Sequence, residues 1–159
     1  MRWIERQGKA RIATVENVIL IDLAGLDPER DGEPGMTFAA LIDELAKTHP
    51  SVTVLARLRD SKPPTSEGRA ALRRAMLRNA ERLGPVHIAI EDVGFLAATL
   101  RAALSAMAML GMRSVNLELH SSLRDARRAF DQTAEVSATV AEPIDLFFAD
   151  AELSAASGA

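Results

Sequence analysis

The sequence predicts an α/β fold: a mostly parallel, four- to five-stranded mixed sheet with an N-terminal β-hairpin and flanking helices. Three observations predict it. Short runs rich in Val, Ile and Leu alternate with segments whose apolar residues recur at helical spacing, in the order β-β-α-β-α-β-α-β-α. The run Val18–Ala24 (VILIDLA) is apolar on both faces, as a strand with cover on both sides must be. The stretch Pro85–Gly111 passes from a strand-like run (Val86–Ile90) through Glu91 and Asp92 into a long Ala/Leu/Met segment. Arg101 is its only charge between Phe95 and Leu110.

The elements follow in order. Ala10–Val15 and Val18–Ala24 form the hairpin, with Glu16-Asn17 as a tight turn because Asn tolerates positive φ. Trp3 and Ile4 fit an earlier edge strand. Two Pro and three Gly make Gly25–Gly35 a loop. Phe38, Leu41, Ile42 and Leu45 set a helix over about Phe38–Lys47, which Thr37 can cap and His49-Pro50 ends. Val52–Leu58 is the next strand and Asp60–Pro64 a loop. Thr65 or Ser66 caps a helix running to Leu83, stopped by Gly84-Pro85, with Leu72, Met76 and Leu83 as its inner stripe. A strand over Ser114–Leu119 and a helix over Leu123–Phe130 follow, and Ser122 with Asp125 resembles a capping box. Residues 1–132 read as one domain. Residues 133–159 read as a docked segment or short helix around Ile144–Phe148, followed by a frayed Ala/Ser/Gly end.

Composition narrows the function classes. The 159 residues are 48% apolar and 26% charged with net charge −3, as expected of a globular chain with a real core and no basic excess calling for nucleic acid. Cysteine is absent, which excludes disulfides, thiolate metal sites and Cys nucleophiles and fits a reducing cytoplasm. MRWIERQGKAR lacks the apolar core of a secretory signal. Val93–Met112 is long enough to consider as a membrane span. It centres on Arg101, however, at a cost of roughly 2.5–3.5 kcal/mol that its alanines do little to offset, so no span is expected.

Further residues carry a resemblance. The element order, Pro64 and Arg69, Gly94–Ala98 with Arg101, the apolar Leu104–Leu110, the strand Val115–Leu119 and Asp125-Ala126 resemble the STAS-like fold of anti-sigma-factor antagonists and the bacterial SpoIIAA-like family. The likeness covers roughly residues 10–130 and implies a non-enzymatic regulatory or binding module. It also implies a check. Phosphoregulated antagonists carry an Asp-Ser-Ser-Gly-type signature after the third strand, and its Ser is phosphorylated. The matching loop here runs Arg59–Ser66, where Asp60-Ser61 is a fragment of that signature without the second Ser and the Gly. Kinase control through Ser61 is therefore not expected.

Ligands of open parallel sheets sit beyond the carboxyl ends of the strands. That edge gathers Arg57, Arg59, Asp60 and Ser61 after one strand, Glu91 and Asp92 after the next, and His120 after the last. These acids and the histidine could bind a divalent cation or run acid–base chemistry. They suit helix capping and loop solvation better, with Asp92 placed to cap the long helix. His87 reads as a hydrogen-bonded core or interface residue and His49 as a loop residue. HExxH, GxSxG, Walker and GxGxxG motifs are absent, so no catalytic residue, cofactor or resident metal is expected. Arg74, Arg78 and Arg82 form a solvated row that could meet phosphate or an acidic partner.

The long helix suggests a partner. At about 100° per residue, Ala102, Ala106 and Met109 cluster near Phe95, and Leu100, Leu104 and Met107 lie about 120–180° away. The Phe95 side is expected in the core, which leaves Leu100, Leu104 and Met107 for a neighbouring element, a partner protein or a homodimer interface. The leading expectation is a cytoplasmic, non-catalytic STAS-like interaction module that forms a homodimer through the apolar surface of this helix. The alternatives are a carrier for a lipid or other apolar small ligand and a small enzyme with an acidic edge site.

Overall fold

The computed structural model describes residues 1–5, 9–92, 94–109, 115–134 and 138–157. Six strands form one mixed sheet in sequential order: β1 (Arg2–Glu5), β2 (Ala10–Val15), β3 (Val18–Ala24), β4 (Val52–Arg59), β5 (Leu83–Ile90) and β6 (Leu117–His120). β1, β2 and β3 pair antiparallel, and β3 to β6 pair parallel. The sixth strand is Arg2–Glu5, which joins the sheet as an edge and takes its count above the expected four to five. Six helices accompany it: α1 (Pro28–Asp31), α2 (Pro34–Thr48), α3 (Ser66–Arg78), α4 (Phe95–Met109), α5 (Leu123–Thr133) and α6 (Ala141–Ser157).

Both sheet faces are covered, because alternate residues of each central strand are apolar. Ile19, Ile21, Val54, Ala56, Ile88 and Ile90 share one core with buried residues of α2, α3 and α4. Val18, Leu20, Leu55 and Ala89 share a second core with Phe130 of α5 and Ile144, Phe147 and Phe148 of α6. The docked segment is thus a full helix, and its aromatic rings close the second face.

Local chemistry sets the boundaries. The hairpin turn holds its positive φ at Glu16 (50°) rather than Asn17. Asn17 instead donates its side-chain amide to the Ser51 carbonyl, tying the turn to the start of β4. Pro34 opens α2 four residues before the expected start, since proline suits a first helical turn. Glu33 caps that helix through the Gly35 N–H (2.9 Å) and also accepts the Thr65 N–H (2.8 Å), while Thr65 caps α3 through the Gly68 N–H (3.1 Å). A Cβ at Gly68 would overlap the Glu33 carboxylate, so a larger residue there would push that side chain off its caps. Ser122 caps α5 as expected, accepting the Asp125 N–H and donating to its carboxylate.

Two expectations are corrected. Helix α3 stops at Arg78, and Leu83-Gly84-Pro85 opens β5 instead of ending a helix. Proline has no N–H to give a ladder, and the register slips between Val52 and Val54 of β4 beside it, as a bulge permits. The second correction is the rotation of α4. Ala97, Leu100 and Leu104 are buried, whereas Ala102 and Ala106 are exposed. The leucines carry more apolar area than the alanines, so they turn inward. Arg101 follows them and donates to the Ile90 carbonyl at 2.7 Å, closing the end of β5.

Candidate functional site

The carboxyl edge of the parallel strands places the residues marked from sequence, and it commits Ser61, Glu91 and Asp92 to backbone. Ser61 is 1% exposed; its hydroxyl accepts the Leu26 N–H and donates to the Arg59 carbonyl. Glu91 accepts the Leu123 N–H at 2.7 Å, satisfying an open donor at the start of α5. Asp92, expected to cap α4, accepts the N–H of Asp60, whose own φ is 49°. The structure therefore brings Asp60, Glu91 and Asp92 together as a loop-stapling set.

Partial burial pushes the Asp92 carboxyl above its ordinary range, aided by the charges of Asp60 and Glu91 and opposed by the Asp60 N–H and Arg101. A carboxyl with a raised folded pKa favours the folded state while protonated, and that contribution is lost as pH rises through the raised value. Asp92→Asn is thus expected to stabilise the chain at neutral pH and to give no gain well below 3.8, the ordinary aspartate value. Thermal unfolding of both proteins across that window checks the sign.

His120 belongs to a different group. It ends β6, with Glu118 two residues before it on the same face. The register sets Glu118 directly opposite His87 and sets His120 opposite Ala89, whose small side chain leaves room for a ring. His87 Nδ1 lies 3.2 Å from His120 Nε2 and 3.6 Å from Glu118 Oε2, and the latter two atoms are 3.9 Å apart. His87 is fully buried, edge-on to Phe130, and His120 and Glu118 are partly exposed. Behind His87, Nε2 meets the Thr133 hydroxyl at 2.8 Å, and that hydroxyl donates to the Ala129 carbonyl. The Thr133 oxygen therefore accepts a hydrogen bond from His87 Nε2–H, which leaves the Nδ1 lone pair facing His120 and Glu118. Burial lowers the His87 pKa, with His120 acting in the same direction and Glu118 against it, so the ring is held neutral. Sequence marks His120 as a site candidate and His87 as a hydrogen-bonded core or interface residue, and it leaves Glu118 unmarked. The available signal is Glu118-x-His120 at strand period beside a lone His in an apolar strand.

The same sheet face carries a buried charge layer. Arg11, Asp22 and Arg57 occupy one register row across β2, β3 and β4. Arg57 Nε donates to Asp22 at 2.7 Å with both side chains at most 3% exposed, and Arg59 adds a 3.0 Å bond to the same carboxylate. Arg11 pairs with Asp150 of α6 under Trp3 and Phe147, and Arg57 lies 5.3 Å from the Phe148 ring.

The partner-facing expectations divide. Leu100 and Leu104, expected at an interface, are 2% and 7% exposed and belong to the chain's own core, so a second copy has no access to them; the Met107 side chain lies outside the described residues. Both leucines instead help line a partly open apolar pocket of about 70 Å³ with Ile21, Phe38, Ala56 and Leu72. The arginine row is also partly spent on the fold: Arg78 pairs with Asp43 and Arg82 donates to the Ala46 carbonyl of α2. Among the described residues, no helix is long and apolar enough to cross a membrane.

Comparison with protein-family models, with curated proteins and with solved structures finds no match.

Proposed function

We propose that the chain is a non-catalytic regulatory or protein-interaction module of STAS-like type. One observation carries this reading. At the sheet edge where α/β enzymes keep their reacting groups, Ser61, Glu91 and Asp92 are bonded to backbone N–H groups of neighbouring loops. Each carboxylate gives one oxygen to a backbone N–H, Glu91 to Leu123 and Asp92 to Asp60, which ties it to holding loops rather than to a substrate. The burial of Ser61 likewise argues against a phosphorylation switch, because a kinase must draw the hydroxyl out of the Leu26 and Arg59 contacts.

Affinity capture with the full chain from its host tests the reading. A partner recovered in stoichiometric amount, equally by wild type and by a Glu91→Gln/Asp92→Asn variant, is the expected result. Recovery of no partner, together with a catalysed reaction that this variant abolishes, overturns it.

The apolar pocket favours a second reading, a carrier for an apolar ligand. Its volume is far below the roughly 300–1,000 Å³ of ordinary ligand pockets, so it has room only for a very small apolar molecule. Native mass spectrometry of the purified chain separates the readings: a co-purified adduct supports the carrier, and a bare chain mass supports the module.

A further inference from the structure

We propose that His87, Glu118 and His120 form a binding site for a divalent transition metal of the zinc type, with a further coordination position open to solvent. The site is independent of the module reading and stands or fails without it.

The Glu118 separations set the cluster apart from a fully hydrogen-bonded one: only the His87 Nδ1–His120 Nε2 contact, at 3.2 Å, fits a hydrogen bond. Glu118 Oε2 lies 3.6 Å from His87 Nδ1 and 3.9 Å from His120 Nε2. Both separations exceed the roughly 2.7–3.2 Å of a nitrogen–oxygen hydrogen bond, so these contacts do not satisfy the carboxylate oxygen. Ligands at about 2.0–2.2 Å around a tetrahedral ion are about 3.3–3.6 Å from one another. The three separations here, 3.2, 3.6 and 3.9 Å, straddle that range. All three ligand atoms lie within 4.8 Å of one another. One ion can therefore reach all three with small side-chain adjustments.

The remaining chemistry agrees. Metal-bound imidazole must offer a lone pair and commonly donates its other N–H to a second group. His87 does both: Nε2–H donates to the Thr133 oxygen, and Nδ1 faces Glu118 and His120. Thr133 is in turn fixed by the Ala129 carbonyl, one turn earlier in α5. Two imidazoles and one carboxylate suit zinc and its neighbours, whereas magnesium and calcium prefer all-oxygen sites. The two strand ligands come from the sheet's edge, and the Glu118 side chain is 35% exposed, which gives an entry path and a solvent-facing position. Three protein ligands with one open position differ from a closed four-ligand structural site.

Calorimetric titration of Zn²⁺ into chelator-treated, untagged full chain is the test. One equivalent is expected to bind, with affinity lost at least about 100-fold in His120→Ala and reduced about 10–100-fold in Thr133→Val, where only the outer hydrogen bond is removed. Co²⁺ in place of zinc is expected to show the intense visible absorption of a tetrahedral site, and Mg²⁺ to show no binding to the site. Circular dichroism establishes that each variant is folded. If His120→Ala fails to fold, Glu118→Gln and Thr133→Val carry the same test. Wild-type affinity retained in the folded variants, or cobalt absorbing as the hydrated ion, overturns the proposal.

Discussion

Asp22→Ala is expected to destabilise the chain by about 3–5 kcal/mol, as removal of one partner from a buried ion pair does. Asp22 and Arg57 sit opposite each other in the parallel register of β3 and β4, in a layer closed by α6. With Asp22 gone, the guanidinium of Arg57 loses its 2.7 Å charged partner at 2% exposure, and Arg59 loses the same carboxylate. The Arg57 side chain, 3% exposed and 5.3 Å from the Phe148 ring, has little access to replacement water, while Arg59 at 24% has more. A stability of about 5–15 kcal/mol is typical of a native domain, so such a loss takes a large share of it. The reverse experiment isolates the cause. Asp22→Leu combined with Arg57→Met removes both charges, restores apolar volume, and is expected to recover most of the loss, since paired removal is often neutral or stabilising. Urea unfolding reads both as shifts in midpoint at similar slope. A single variant as stable as wild type would show that the pair contributes nothing.

The charge layer also shows what can be read from sequence and what cannot. Strand and helix order are legible because they rest on local patterns: VILIDLA and VTVLARL are apolar on both faces, and Phe38, Leu41, Ile42 and Leu45 repeat at helical spacing. Asp22 and Arg57 interrupt those strands in plain sight, yet their partnership depends on which residues the register sets opposite. The same holds for His87 and Glu118, which are thirty-one positions apart in sequence and adjacent only through the pairing of β5 with β6. Gly84-Pro85 reads locally as a helix stop, and only the bulge against β4 turns it into the start of a strand. The direction of α4 fails for a related reason. Its circumference is apolar on several sides, so periodicity alone leaves two orientations open; the larger leucines decide between them once a sheet is present to receive them.

Phe147→Ala is expected to cost about 3–5 kcal/mol, the range for truncating a buried aromatic ring. Phe147 is fully buried in α6, stacked on Trp3 at 5.3 Å and edge-on to Phe148 at 4.9 Å. Its ring also lies 6.0 Å from the Arg11 guanidinium, so truncation loosens the cover over the charge layer as well as opening a cavity. Neighbouring Leu146 on the same helix is 57% exposed, and Leu146→Ala is expected to stay within about 0.5 kcal/mol of wild type. The pair of variants thus separates docking of α6 from any effect of altered helix propensity. Trp3 is the only tryptophan in the chain, which gives the experiment a local optical readout. Loss of the stacked ring should shift its emission toward that of a solvated indole in Phe147→Ala and leave it unchanged in Leu146→Ala. Because Trp3 lies in β1 and Phe147 in α6, that signal reports directly on contact between the two ends of the described chain. An unshifted emission with an unchanged unfolding midpoint would mean that α6 does not close the second face in solution, and the buried pair beneath it would then be open to water.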